Sequence, residues 1–177
     1  MLASALLGRV RETALLQLQT EPHFLLESLL GLAAIMATTL VTFRAGIPGL
    51  ASRGLALLAA VLLGAWLLNH LLGLSWPALE PSMLGKRPHC YLETLLLAVP
   101  PLVLALHWLG RMYPLSPRLA VLAAGLACGL LPALYMQIAC MYEPSHILKF
   151  HILPGLLVAP LAMLINRLLP HRHRVKT

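Results

Sequence analysis

Few residues in this 177-residue chain are suited to chemistry: three cysteines, eight histidines and six carboxylates. Cys90 and Cys140 draw attention first. Two thiols can close a disulfide if their Cα atoms come within about 7 Å. As thiolates they can hold a soft metal ion, with His89, Glu143 and His146 close by in sequence to add ligands. They can also serve simply as small apolar residues at helix ends. Sequence leaves all three readings open. Cys128 lies within a long apolar run, where a thiol has a raised pKa and acts as packing. There is no CxxC, no HExxH and no CxxCH, so spacing alone names no centre.

Glu27, Glu93 and His151 form a second group. Each falls inside a stretch apolar enough to cross a membrane, where an ionisable side chain is costly and marks a functional candidate by default. The competing reading for the carboxylates is structural: near a helix start they can reach the interface or interact favourably with the dipole. His23, His70, His89, His146 and His151 gather at the same end of the expected bundle as the two cysteines. His107 lies near the other end, and His171 and His173 are in the C-terminal tail. Amphipathic side chains favour helix ends, so anchoring competes with ligation for each histidine taken singly.

These residues have to be positioned by membrane helices. The chain is 59% hydrophobic and 11% charged, with a mean hydropathy of +0.83. Soluble domains carry about 25% charged residues, and a chain this poor in charge could not cover its surface in water. Only 6% of residues are aromatic, and the apolar mass is Leu, Ala and Val without alternation. That pattern favours helices over a β-barrel. The expected fold is all-α: a polytopic transmembrane helical bundle forming one integral membrane domain over 1–177. It has five spans, about 24–43, 54–72, 90–109, 119–140 and 147–169, and a short interfacial helix within residues 1–21. Spans three and four run antiparallel, which brings Cys90 and Cys140 to one depth although 50 positions separate them. Pro100, Pro101, Pro132, Pro154 and Pro160 interrupt the last three spans and permit bends. Gly125 and Gly129 have the GxxxG spacing that allows close helix contact.

The basic residues set an orientation. With the C-terminus cytoplasmic, eight lie inside (Arg44, Arg53, Arg111, Arg118, Arg167, Arg172, Arg174, Lys176) and five outside (Arg9, Arg11, Lys86, Arg87, Lys149), while all six acidic residues fall outside. The Lys and Arg bias gives a cytoplasmic C-terminus and, with five spans, an outer N-terminus. The same bias accounts for the sequence pI of about 9.9 without nucleic acid.

Several segments in order resemble one family. They are Glu-Pro-His-Phe-Leu-Leu-Glu (21–27), Ile-Pro-Gly (47–49), Cys90 followed by an apolar span with Pro100, Pro-Leu-Ser-Pro-Arg-Leu (114–119), Gly-Leu-Ala-Cys-Gly (125–129), Cys140, and a final span with His151. Together they resemble the NrsF family, bacterial inner-membrane anti-sigma factors, over most of the chain from about residue 10. The resemblance implies a regulator that holds an extracytoplasmic-function sigma factor inactive. It also implies that two extracytoplasmic cysteines, here Cys90 and Cys140, sense metal or oxidative stress. Relative to such proteins the chain is expected to lack a first helix and a cytoplasmic N-terminal segment. Three accounts stand side by side: the chain is a shortened homologue, its start is wrongly assigned, or the inner loops around Arg44–Arg53 and Arg111–Arg118 hold sigma.

The expected function is therefore a non-enzymatic membrane sensor of the bacterial inner (cytoplasmic) membrane. Its partners are an extracytoplasmic-function sigma factor and the lipid bilayer, with no direct nucleic acid contact; a transition-metal ion is the one cofactor to consider. The alternatives are a small transporter or structural membrane subunit, and a quinone-linked thiol oxidase. The last would need a CxxC or a second cysteine pair, whereas only Cys128 remains.

Overall fold

A computed structural model describes residues 11, 13–47, 49–112 and 117–168. Among them all regular structure is helical: α1 (Ala14–Thr20), α2 (Pro22–Gly46), α3 (Arg53–Leu72), α4 (Cys90–Arg111), α5 (Pro117–Ala139) and α6 (Pro144–Leu168), the last containing a π-helical turn at Leu148–Ile152. The helices α2 to α6 are each long and apolar enough to cross a bilayer. The all-α reading holds, and the protein is a helical membrane protein. Of the expected interfacial segment, Arg11 and residues 13–21 are described, with α1 at Ala14–Thr20. The segment around Pro114–Ser116, the basic tail with His171 and His173, and the rest of the N-terminal stretch lie outside the described residues.

Local chemistry sets the helix ends. Pro22 and Pro144 occupy first-turn positions, where the missing N–H costs nothing. The Ser52 hydroxyl accepts from the Leu55 N–H at 3.3 Å and caps α3. Gly49 turns the chain between α2 and α3 with φ of 81°, a conformation suited to glycine. Helix α5 stops at Ala139, so Cys140 lies just past the fourth span, in the short link to α6. Within α2 the hydroxyls of Thr38, Thr39 and Thr42 donate to the carbonyls of Ala34, Ile35 and Thr38, which satisfies polar groups where lipid offers no partner.

Helix α5 is the hub. It packs on α2, α4 and α6, whereas α3 lies mainly against α2. The α5–α6 contact is tight because small residues face one another. A Cβ built on Gly125 would come within 2.6 Å of the Ala159 Cα, and one on Gly155 within 2.6 Å of the Gly129 carbonyl oxygen. The GxxxG spacing thus marks a true close approach. Gly31 plays the same part between α2 and α3, where an added Cβ would stand 2.7 Å from the Trp66 ring.

Candidate metal and thiol site

Cys90 and Cys140 meet at the end of the bundle where α4 begins and α5 gives way to α6. Both are buried free thiols, and their Sγ atoms are 2.9 Å apart. The Cys90 Sγ also lies 3.3 Å from the Arg87 carbonyl oxygen, to which it donates. On the far side Arg11 Nη1 donates to the Cys140 carbonyl at 3.4 Å. His146 Nε2 stands 3.7 Å from the Cys140 Sγ. His151 completes the group: one ligand atom each from Cys90, Cys140, His146 and His151 lies within 4.8 Å of the others. Met136 and Met141 pack against the thiols in the same buried cluster, so the surroundings are soft and largely dry. The Cys140 thiol is pushed down from its ordinary range. The Cys90 thiol is the main cause, working against the cost of burial, with His151 and His146 adding to it.

The π turn explains how His151 comes to be there. In a regular α-helix residues five apart stand about 140° apart around the axis; an i→i+5 turn stacks them instead. Pro154 stands two residues past the end of the turn and lacks the N–H that would bond the carbonyl four residues back, which loosens the α pattern at this point. His146 and His151 then face each other with ring centroids 5.1 Å apart. His151 is fully buried, and neither ring nitrogen makes a hydrogen bond of ordinary geometry. Buried imidazole nitrogens left in this way beside two thiols are the donor set that a soft or borderline ion requires. The four residues fit such an ion.

The other expected ligands are placed differently. His89 is exposed, at the N-cap of α4, outside the four-residue group. The Glu143 carboxylate caps α6: it accepts from Ser145 N at 3.2 Å, Ser145 Oγ at 2.8 Å and His146 N at 2.5 Å. It thereby fixes the turn that carries His146. Glu93 pairs with Arg87 at 2.8 Å across the loop before α4. Cys128 lines an apolar cleft of about 420 Å³ between α2, α4 and α5, remote from the thiol pair.

Glu27 sits in a second polar group that the sequence reading did not assemble. It is 2% exposed. Its carboxylate accepts from Gln137 Nε2 at 2.5 Å, Asn69 Nδ2 at 3.1 Å and the Tyr142 hydroxyl at 3.3 Å, with His70 Nδ1 at 3.6 Å. Burial, then the neighbouring carboxylate, push the Tyr142 phenol up, so it remains a neutral donor. A Gln and an Asn inside apolar helices were the signals available in sequence; which carboxylate they would meet depends on helix rotation.

No curated protein and no solved structure matches this chain. One family model does, over residues 1–170: NrsF, described as negative regulator of sigma F. That match takes in all five long helices, the thiol pair and the Glu27 group, and the chain belongs to the NrsF family of negative regulators of sigma F.

Proposed function

We propose that this protein is a membrane-embedded regulator of an extracytoplasmic-function sigma factor, and that it senses a soft metal ion at Cys90, Cys140, His146 and His151. Family membership supplies negative regulation of a sigma factor. The observation that carries the sensing role is the convergence of two thiols and two imidazoles within 4.8 Å, three of the four residues buried and both His151 ring nitrogens without a hydrogen-bond partner. Thiolate and imidazole together suit Cu(I) or Zn(II). In the proposed orientation, in the bacterial inner membrane with the C-terminus cytoplasmic, the cluster faces outward. The segments around Arg44–Arg53 and Arg111–Arg118 face the cytoplasm and hold sigma. A ligand releases sigma only by binding one arrangement of the helices more tightly than the other.

The 2.9 Å approach of the two sulfurs favours a second input at the same site. A peroxide can take two electrons and two protons from the thiols, forming the Cys90–Cys140 disulfide and two waters. Both inputs act on one pair of residues.

The test is a reporter of the sigma-dependent genes in cells exposed to zinc, copper or peroxide. Cys90→Ser and Cys140→Ser are expected to abolish the response while the protein still co-purifies with its sigma factor. An unchanged response in both variants would overturn the sensing role.

A further inference from the structure

We infer that Glu27 is the residue that transmits the state of the thiol site to helices α2 and α3, an inference that rests on the sensing role proposed above. All four residues of the candidate site belong to α4, α6 and the link before α6. Helices α2 and α3 contribute none, yet they frame one of the two segments proposed to hold sigma. Some element has to join the two halves, and the Glu27 carboxylate is placed to do so.

Its contacts bracket Cys140. Gln137, one turn before Cys140 on α5, donates to Oε1. Tyr142, two residues after Cys140, donates to Oε2. A shift of Cys140 along or across the bundle therefore moves both donors relative to one carboxylate. The approach to Cys90 is tied in as well. The Tyr142 hydroxyl accepts from Ala78 N at 3.1 Å, and the Tyr142 carbonyl accepts from Ser82 N at 2.9 Å. Both belong to the loop that leads to Cys90. On the other side Asn69 of α3 donates to Oε2 of the same carboxylate. Phe24, one turn before Glu27 on α2, packs edge-on against Tyr142 with centroids 5.5 Å apart. One side chain of α2 thus meets α3, α5, the link holding Cys140 and, through Tyr142, the loop before Cys90.

The energetics make this joint responsive. Glu27 and Gln137 are 2% and 0% exposed, so water cannot replace a lost donor. A buried polar group left without a partner is costly, so a partly satisfied arrangement of this network is disfavoured. When the thiol pair is engaged and the 137–142 segment moves, the carboxylate must follow its donors or exchange them, and α2 and α3 move with it. This is a hydrogen-bonded route from the sensor to the far half of the bundle.

Three variants test it: Glu27→Gln, Tyr142→Phe, and Glu27→Gln combined with Gln137→Glu. Each is assayed in cells by the sigma reporter, and in detergent by Zn(II) and Cu(I) titration against a chromophoric chelator. Glu27→Gln and Tyr142→Phe are expected to bind metal as the wild type does, yet to shift the metal concentration for half-maximal reporter response by about 5- to 150-fold, the range of ordinary coupling between sites. The swapped pair restores a carboxylate–amide contact and is expected to recover much of the response, which a general packing defect would not. Wild-type reporter curves in both single variants would overturn the inference, as would a loss of metal binding that accompanies the loss of response. If Glu27→Gln fails to accumulate, Tyr142→Phe, which keeps the ring against Phe24, decides by the same criteria. A wild-type response that does not need Cys90 and Cys140 is the separate result that would sink the sensing role itself.

Discussion

His151 faces His146 with ring planes at 84° and centroids 5.1 Å apart, a relationship that an uninterrupted α-helix would not produce. The π turn at Leu148–Ile152 carries His151 around to the thiols, and Pro154 holds the site of the irregularity. Single π turns often occur at functional sites, and here the turn delivers a buried imidazole to two cysteines.

Replacing His151 with alanine should therefore weaken metal binding. An outer-shell partner costs about 10- to 100-fold when removed, and a direct ligand is expected to cost at least that. The check is competitive titration of Zn(II) and Cu(I) with the purified protein in detergent. His107→Ala, at an exposed position on α4, is the control and should leave affinity unchanged. Equal affinities for the His151 variant and the wild type would remove His151 from the ligand set.

Much of the architecture was legible because lipid leaves the chain few options: every backbone polar group must be satisfied within a segment, so long apolar runs become helices. Antiparallel spans brought Cys90 and Cys140 to one depth. Whether the two thiols would face each other depends on helix rotation, which apolar runs without a polar face do not encode. That His151 would lie beside the thiols was hidden for a different reason, a local change of helical period at Leu148–Ile152. Glu143 was readable in principle, since an acidic residue directly before Pro-Ser-His is a capping signal. Its nearness to Cys140 suggested ligation instead. The Glu27 group needed tertiary information, because its partners come from positions 69, 137 and 142.

The capping geometry of Glu143 separates two roles. As a cap it can be replaced by Asn, which serves nearly as well at that position, whereas Ala removes the cap at a cost of about 0.5–2 kcal/mol. Glu143→Asn is expected to keep both metal affinity and thermal stability close to wild type. Glu143→Ala should lower stability by that amount and loosen His146. If the carboxylate were itself a ligand, the Asn variant would lose affinity as the Ala variant does, and titration of the two side by side decides.

Metal and disulfide should exclude one another, since both consume the same two thiols. Treating the metal-free protein with peroxide is expected to give an intramolecular Cys90–Cys140 crosslink, seen by mass spectrometry as a peptide pair lacking two hydrogens. The oxidised protein should no longer take up Zn(II), and prior loading with Zn(II) should slow the crosslinking. Cys128→Ser is expected to change none of these readings, because Cys128 lies in the apolar cleft between α2, α4 and α5. Crosslinks between Cys128 and either partner, or undiminished Zn(II) uptake after oxidation, would contradict the geometry.

The α5–α6 seam gives a prediction independent of the thiols. At Gly125 an added methyl would fall 2.6 Å from the Ala159 Cα, with the Val158 carbonyl oxygen at 3.1 Å, and backbone atoms cannot step aside as a flexible side chain would. The helices would have to separate. Overpacking of this kind costs about 1–3 kcal/mol, and Gly125→Ala is expected to lower the unfolding midpoint in mixed detergent accordingly. Gly64→Ala on α3 is the matched control, because nothing lies within 4 Å of its built Cβ. In a helix interior alanine is favoured over glycine by roughly 0.5–1 kcal/mol, so that variant should be as stable as wild type or slightly more so. Since α6 carries His146 and His151, a separated seam would also displace the imidazoles from the thiols. Gly125→Ala should therefore bind metal more weakly although it touches no ligand. A Gly125 variant with wild-type stability and affinity would mean that the two helices are not held at the close spacing on which the site depends.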